Sequence, residues 1–105
     1  MIEMKNTSMY YNNAINQPTY ILAKSQRILT DINFPSTFSS FNFSNKEIVD
    51  FKLRDIHLHV THLCLARNNL TSAKFILHFP NIIMLDIRGN NIINFSCNIN
   101  NLEKL

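Results

Sequence analysis

Apolar residues return at fixed offsets through the second half of the chain. In "VTHLCLARNNL" they stand at Val60, Leu63, Leu65 and Leu70. A shift of 22 residues gives "IIMLDIRGNNI", with Ile82, Leu85, Ile87 and Ile92 in the same slots. A shift of 22 the other way gives "FSSFNFSNKEI", with Phe38, Phe41, Phe43 and Ile48. Four slots in three units are all apolar. At 46% apolar residues, chance does this about once in 10⁴ for one register and about once in 10³ over all registers. Periods of this length mark repeat folds. A polar slot lies inside the same frame, filled by Asn68 and Asn90, and by Lys46 in the first unit.

The pattern predicts local structure. Each xLxL stretch is a short strand whose side chains alternate in direction. Leu63, Leu65, Leu85 and Ile87 then face a core. His62, Cys64 and Ala66 face the other way, as do Met84, Asp86 and Arg88. Successive strands stack in parallel, with right-handed connections. After the strand the chain turns inward, and an Asn side chain can satisfy both stranded N–H and stranded C=O groups there. Asn68 and Asn90 are therefore read as an amide ladder. Lys46 is donor-only and cannot close its turn in that way. Beyond Leu70, the triplet spacing of Ala73, Ile76 and Phe79 predicts a 3-10 or short helical turn with one buried edge, ended by Pro80. Gly89, the only glycine, relieves backbone strain in the turn before Asn90.

The slots of these units resemble the leucine-rich-repeat motif LxxLxLxxNxL, over residues 38–105. The 22-residue length resembles the class typified by the regulatory subunit of protein phosphatase 1. The resemblance implies an α/β, right-handed leucine-rich-repeat solenoid with 3-10 or short helical convex turns, truncated at its C-terminus. Its core takes in Phe38, Phe41, Phe43, Ile48, Val60, Leu63, Leu65, Leu70, Ile76, Phe79, Ile82, Leu85, Ile87 and Ile92. The units run 38–59 (degenerate), 60–81, 82–101 and a partial 102–105, with Phe95, Ile99 and Leu102 filling the last turns and Cys97 as a small filler.

The flanks carry less pattern. Residues 1–17 are read as a mobile arm and 18–37 as an N-terminal capping segment. Within it, Ile21, Leu22, Ile28, Leu29 and Ile32 fall near one helical face, so a short amphipathic helix is expected; a strand or worn repeat around Tyr20 and Leu22 is the alternative. In 49–59, Phe51, Leu53 and Ile56 are expected to anchor the back of the first unit.

Composition narrows the function. The net charge is +3 and the ten basic residues are scattered, so no nucleic-acid footprint is present. Continuous apolar runs of spanning length are absent, so no membrane helix is expected. Sequons at Asn6, Asn42, Asn69 and Asn94 occur without a secretion signal, and cytoplasmic residence is expected, with nuclear or cilium-associated residence as variants. His57, His59, His62 and Cys64 offer zinc-type ligands without clean zinc spacing; no metal or other cofactor is assigned. Cys64 as a nucleophile is disfavoured by lateral Asp86, which raises a thiol's pKa. No catalytic residue and no small-molecule substrate are assigned. The expected function is a protein-interaction module whose concave face presents His62, Cys64, Arg67, Met84, Asp86 and Arg88 to an unidentified protein partner. The alternative is the front end of a longer repeat protein without activity of its own.

Overall fold

The computed structural model describes residues 18–93 together with the backbone of residues 3–4. The expectations for 5–17, Phe95, Cys97, Ile99, Leu102 and Leu105 lie outside the described residues.

The chain forms a small domain of short parallel strands and 3-10 turns. In chain order these are β1 (Glu3–Met4), β2 (Thr19–Ile21), β3 (Ile28–Thr30), a 3-10 turn at Asp31–Asn33, β4 (Ser40–Asn42), β5 (Asp50–Lys52), β6 (His62–Cys64), a second 3-10 turn at Lys74–His78, and β7 (Met84–Asp86). Five strands form one sheet in the order β1-β7-β6-β4-β2, and β3 and β5 form a second. Every pairing is parallel. The register follows the apolar repeat: Phe41 opposes Leu63 and Leu63 opposes Leu85. The same step of 22 sets Leu29 against Phe51 in the second sheet.

The core lies between the two sheets. Phe41, Phe43, Leu63, Leu65 and Leu85 enter it from the large sheet, and Leu29, Ala73, Ile76 and Phe79 from the opposite side; all are fully buried. Phe38, Ile87 and Ile92 are half-buried at its margin. Phe34 is its aromatic hub. Its ring centroid lies 4.8 Å from Phe79, 5.2 Å from Phe41 and 5.3 Å from Phe43. Tilted contacts at these separations add to the area that the rings remove from water.

The expected helix over 19–32 does not form. That stretch is a further turn of the ladder, with Tyr20 opposite Phe41. Strands at Thr19–Ile21 and Ile28–Thr30 stand in its place, each paired in parallel with the next coil, with Leu22 and Leu29 buried and Ile21 and Ile32 exposed. Helix propensity is a weak prior, and here the backbone of the neighbouring coil satisfies this one: Leu22 N–H donates to Asn42 and Gln26 N–H to Lys46. The arm at 1–17 is also not structureless throughout, since Glu3–Met4 pair with Met84–Leu85. The first chain segment thus occupies the edge farthest from β2. Ile56, expected as an anchor, is 55% exposed, and His57 is buried in its place. The imidazole is held by a hydrogen bond of 2.8 Å to Asp31.

Backbone geometry carries a second signature of the repeat. Asn45, Arg67 and Gly89 lie 22 residues apart and all have positive φ, at 57°, 57° and 75°. Each sits one residue before the polar slot of its coil. Glycine takes this conformation without strain and asparagine with little, but arginine does not. A Cβ on Gly89 would meet the Arg67 backbone at 3.1 Å, a tight contact that the neighbouring coil would have to yield to by a few tenths of an ångström.

Candidate functional site

The polar slot gathers side-chain hydrogen bonds that link consecutive coils. Asn68 is buried, and its Oδ1 accepts from the N–H groups of Lys46 at 2.9 Å and Ile48 at 3.0 Å. Its Nδ2 donates to the carbonyls of Phe43 at 2.9 Å and Leu65 at 3.0 Å. One side chain therefore closes its own turn and ties it to the preceding coil. Asn90 repeats the arrangement one coil on: Oδ1 accepts from Leu70 N–H at 2.9 Å, and Nδ2 donates to Leu65 at 2.8 Å and Ile87 at 3.0 Å. The first turn, where Lys46 stands, is closed from outside by the amide of Asn68. Buried backbone groups must find partners, and these two amides supply them where no strand does.

The sheet face turned away from the core is less open than alternation along the strands implies. Cys64 and Ala66 are fully buried, and Met84 packs against them. His62 and Asp86 are also buried, at 6% and 2% exposure. These four were expected on an open face. β6 is flanked by β4 and β7, and small side chains on a middle strand lie below the reach of their larger neighbours. Arg67 is exposed, and Met84 and Arg88 are half-buried. Of the six residues expected to meet a partner, these three reach the surface.

Asp86 and Arg88 form an ion pair on this face, with Arg88 Nε 3.4 Å from Asp86 Oδ2. Asp86 Oδ1 accepts from the Arg88 N–H at 3.2 Å. Neither Oδ2 nor Nε makes a hydrogen bond. Burial pushes the Asp86 carboxyl above the usual carboxylate range, against the opposing pull of the Arg88 N–H bond and of the Arg88 and Arg67 charges. His62 is pushed below the ordinary imidazole value by its burial, and its Nδ1 lies 2.8 Å from the Thr61 hydroxyl.

The four zinc-type residues do not converge. The rings of His57 and His59 pack on core aromatics, His57 against Phe34 and Phe79 and His59 against Phe41. His62 and Cys64 flank Leu63 and so face the other way. Among the described residues, no group of three or more His, Cys, Asp or Glu side chains is placed to hold a metal ion. His57 instead belongs to a structural clamp that spacing did not reveal. Asp31 accepts from His57 and from the N–H groups of Arg54 and Asp55. Burial raises the Asp31 pKa, but these hydrogen bonds outweigh it and hold the carboxyl below its ordinary value. His59 reaches the Phe34 carbonyl at 3.0 Å; its burial lowers its pKa, against the pull of that bond.

No helix among the described residues is long and apolar enough to cross a membrane. Comparison with family models, with curated proteins and with solved structures returns no match.

Proposed function

We propose that this chain is a leucine-rich-repeat solenoid of the 22-residue class and acts as a non-catalytic protein-interaction module in the cytoplasm. Support for the repeat reading comes from the shared step of 22 in strand register, positive-φ positions and buried amides. The binding role rests on one observation at the sheet face. On the strand face turned away from the core Arg67 is exposed and Met84 and Arg88 are half-buried, and the buried Asp86 carboxylate fixes Arg88 by their ion pair. Methionine and arginine suit the edge of such an interface.

His62, Cys64 and Asp86 then act from beneath, shaping the face on which Arg67, Met84 and Arg88 make contact. Affinity purification followed by binding of the isolated partner tests this. Arg67→Glu, at the exposed position of this face, and Met84→Ala are expected to weaken the complex while leaving the melting temperature within a few degrees of wild type. A partner that binds both variants as tightly as wild type would overturn the assignment of this face.

A further inference from the structure

Across the core from that face, β5 and the second 3-10 turn leave a groove of about 370 Å³ between them. Its floor is apolar. Phe51 stacks on Phe75 with ring centroids 4.5 Å apart and planes 17° from parallel, and Leu53 continues the floor. Its rim is cationic and polar: Lys52, Lys74, His78 and Ser72, with one carboxylate, Asp50.

The groove wall is also a strand edge. In a parallel pair, successive backbone N–H groups point alternately to either side. Asp50 N–H points to β3, where it donates to Arg27. Phe51 N–H therefore points away from β3, into the groove, and is capped only locally, by its neighbour's Asp50 Oδ1 at 2.7 Å. Among the described residues the second sheet ends at β5, since beyond the single bridge residue Ser72 the chain opposite winds into the 3-10 turn at Lys74–His78.

We propose that this groove binds an extended peptide segment of alternating acidic and apolar residues, which adds a strand to the open edge of β5. The peptide backbone takes the Phe51 N–H from Asp50. Its apolar side chains lie on the Phe51–Phe75 stack, and its carboxylates face Lys52 and Lys74. Strand addition of this kind draws affinity from main-chain bonds and selectivity from alternate side chains. The site is separate from the Arg67, Met84 and Arg88 face, and each can fail without the other.

The test uses the whole chain and a fluorescein-labelled hexapeptide alternating glutamate and valine, titrated by fluorescence polarisation at low salt. Saturable binding is expected, weakened at least about tenfold by the exposed double change Lys52→Glu with Lys74→Glu. Asp50→Asn, which weakens the local cap and removes the one opposing charge, is expected to tighten it several-fold. Far-UV circular dichroism confirms that the variants fold. The proposal is overturned by absence of saturation up to about 1 mM peptide, by equal binding to the double variant, by equal binding of a lysine–valine peptide or a backbone N-methylated one, or by loss of binding in Arg67→Glu, which would place the peptide on the other face.

Discussion

Asn68→Ala isolates the contribution of the turn amide. The substitution takes the acceptor from two N–H groups, Lys46 and Ile48, and a donor from the carbonyls of Phe43 and Leu65. Leu65 keeps Asn90 Nδ2 as a donor, so the two N–H groups dominate the cost. A buried donor left without a partner costs about 1–3 kcal/mol. The bond to Ile48 is buried and that to Lys46 only partly, which gives a loss of about 3–4 kcal/mol, a large share of the stability of a small domain. Asn90→Ala strips one N–H group, that of Leu70, of its acceptor in a part-buried bond, and removes the donor to the Ile87 carbonyl; it is expected to cost about 1–2 kcal/mol. Asn68→Asp separates donor from acceptor: it keeps the acceptor for both N–H groups but turns a carboxylate toward two carbonyls. That environment raises the carboxyl pKa, so the folded state gains protons before the unfolded chain does, and the deficit against wild type shrinks as pH falls through the raised value. Urea unfolding followed by circular dichroism at pH 7 and pH 4 measures all three variants. A loss below about 1 kcal/mol for Asn68→Ala, or equal losses for Asn68→Ala and Asn90→Ala, would refute the assignment of the amide as the closing element.

Other outcomes follow from single features. Arg67→Gly removes left-handed strain of about 1–2 kcal/mol and adds about 0.5–1 kcal/mol of unfolded-state entropy, so a higher urea midpoint is expected; an unchanged or lower midpoint would mean that the arginine stem stabilises the turn. Phe34→Ala empties the aromatic hub and is expected to cost about 3–5 kcal/mol, read as a fall in thermal midpoint, with a loss below about 1 kcal/mol counting against the hub. His59 and His62 have folded pKa values below the unfolded 6.5, so the unfolded chain binds more protons in acid. Stability present above pH 6.5 is expected to fall as the pH drops below it, and His62→Gln to flatten that slope; a pH-independent urea midpoint between pH 7.5 and 5.5 would contradict this.

The short parallel strands and the 3-10 turn were legible because each rests on a local rule that survives in a single sequence. Leu63 and Leu85 carry the alternation, and Ala73, Ile76 and Phe79 carry the step of three. The coil at 19–33 was legible only as the alternative of a strand or worn repeat around Tyr20 and Leu22, which the pairing of Tyr20 with Phe41 bears out over the favoured helix. Its strand pairs through backbone, and its polar stretch from Lys24 to Arg27 interrupts any periodic signal. The clamp of Asp31 on His57 joins residues far apart in sequence, and no spacing rule connects an aspartate to an imidazole across one coil. Depth on the sheet face was also hidden: alternation assigns His62, Cys64 and Asp86 to a side, but neighbouring strands decide how far each lies from water. The left-handed slot was half visible, since Gly89 announces it while Arg67 disguises it.

The central claim is that consecutive coils share one interior, stapled by the turn amides. Nuclear Overhauser contacts in the isotope-labelled chain test it most directly. The account predicts contacts from the Asn68 side-chain amide protons to Phe43 and Leu65, and backbone contacts linking Phe41 to Leu63 and Leu63 to Leu85. An Asn68 amide exchanging with water on the timescale of a surface side chain, with no contacts between those strands, would contradict it.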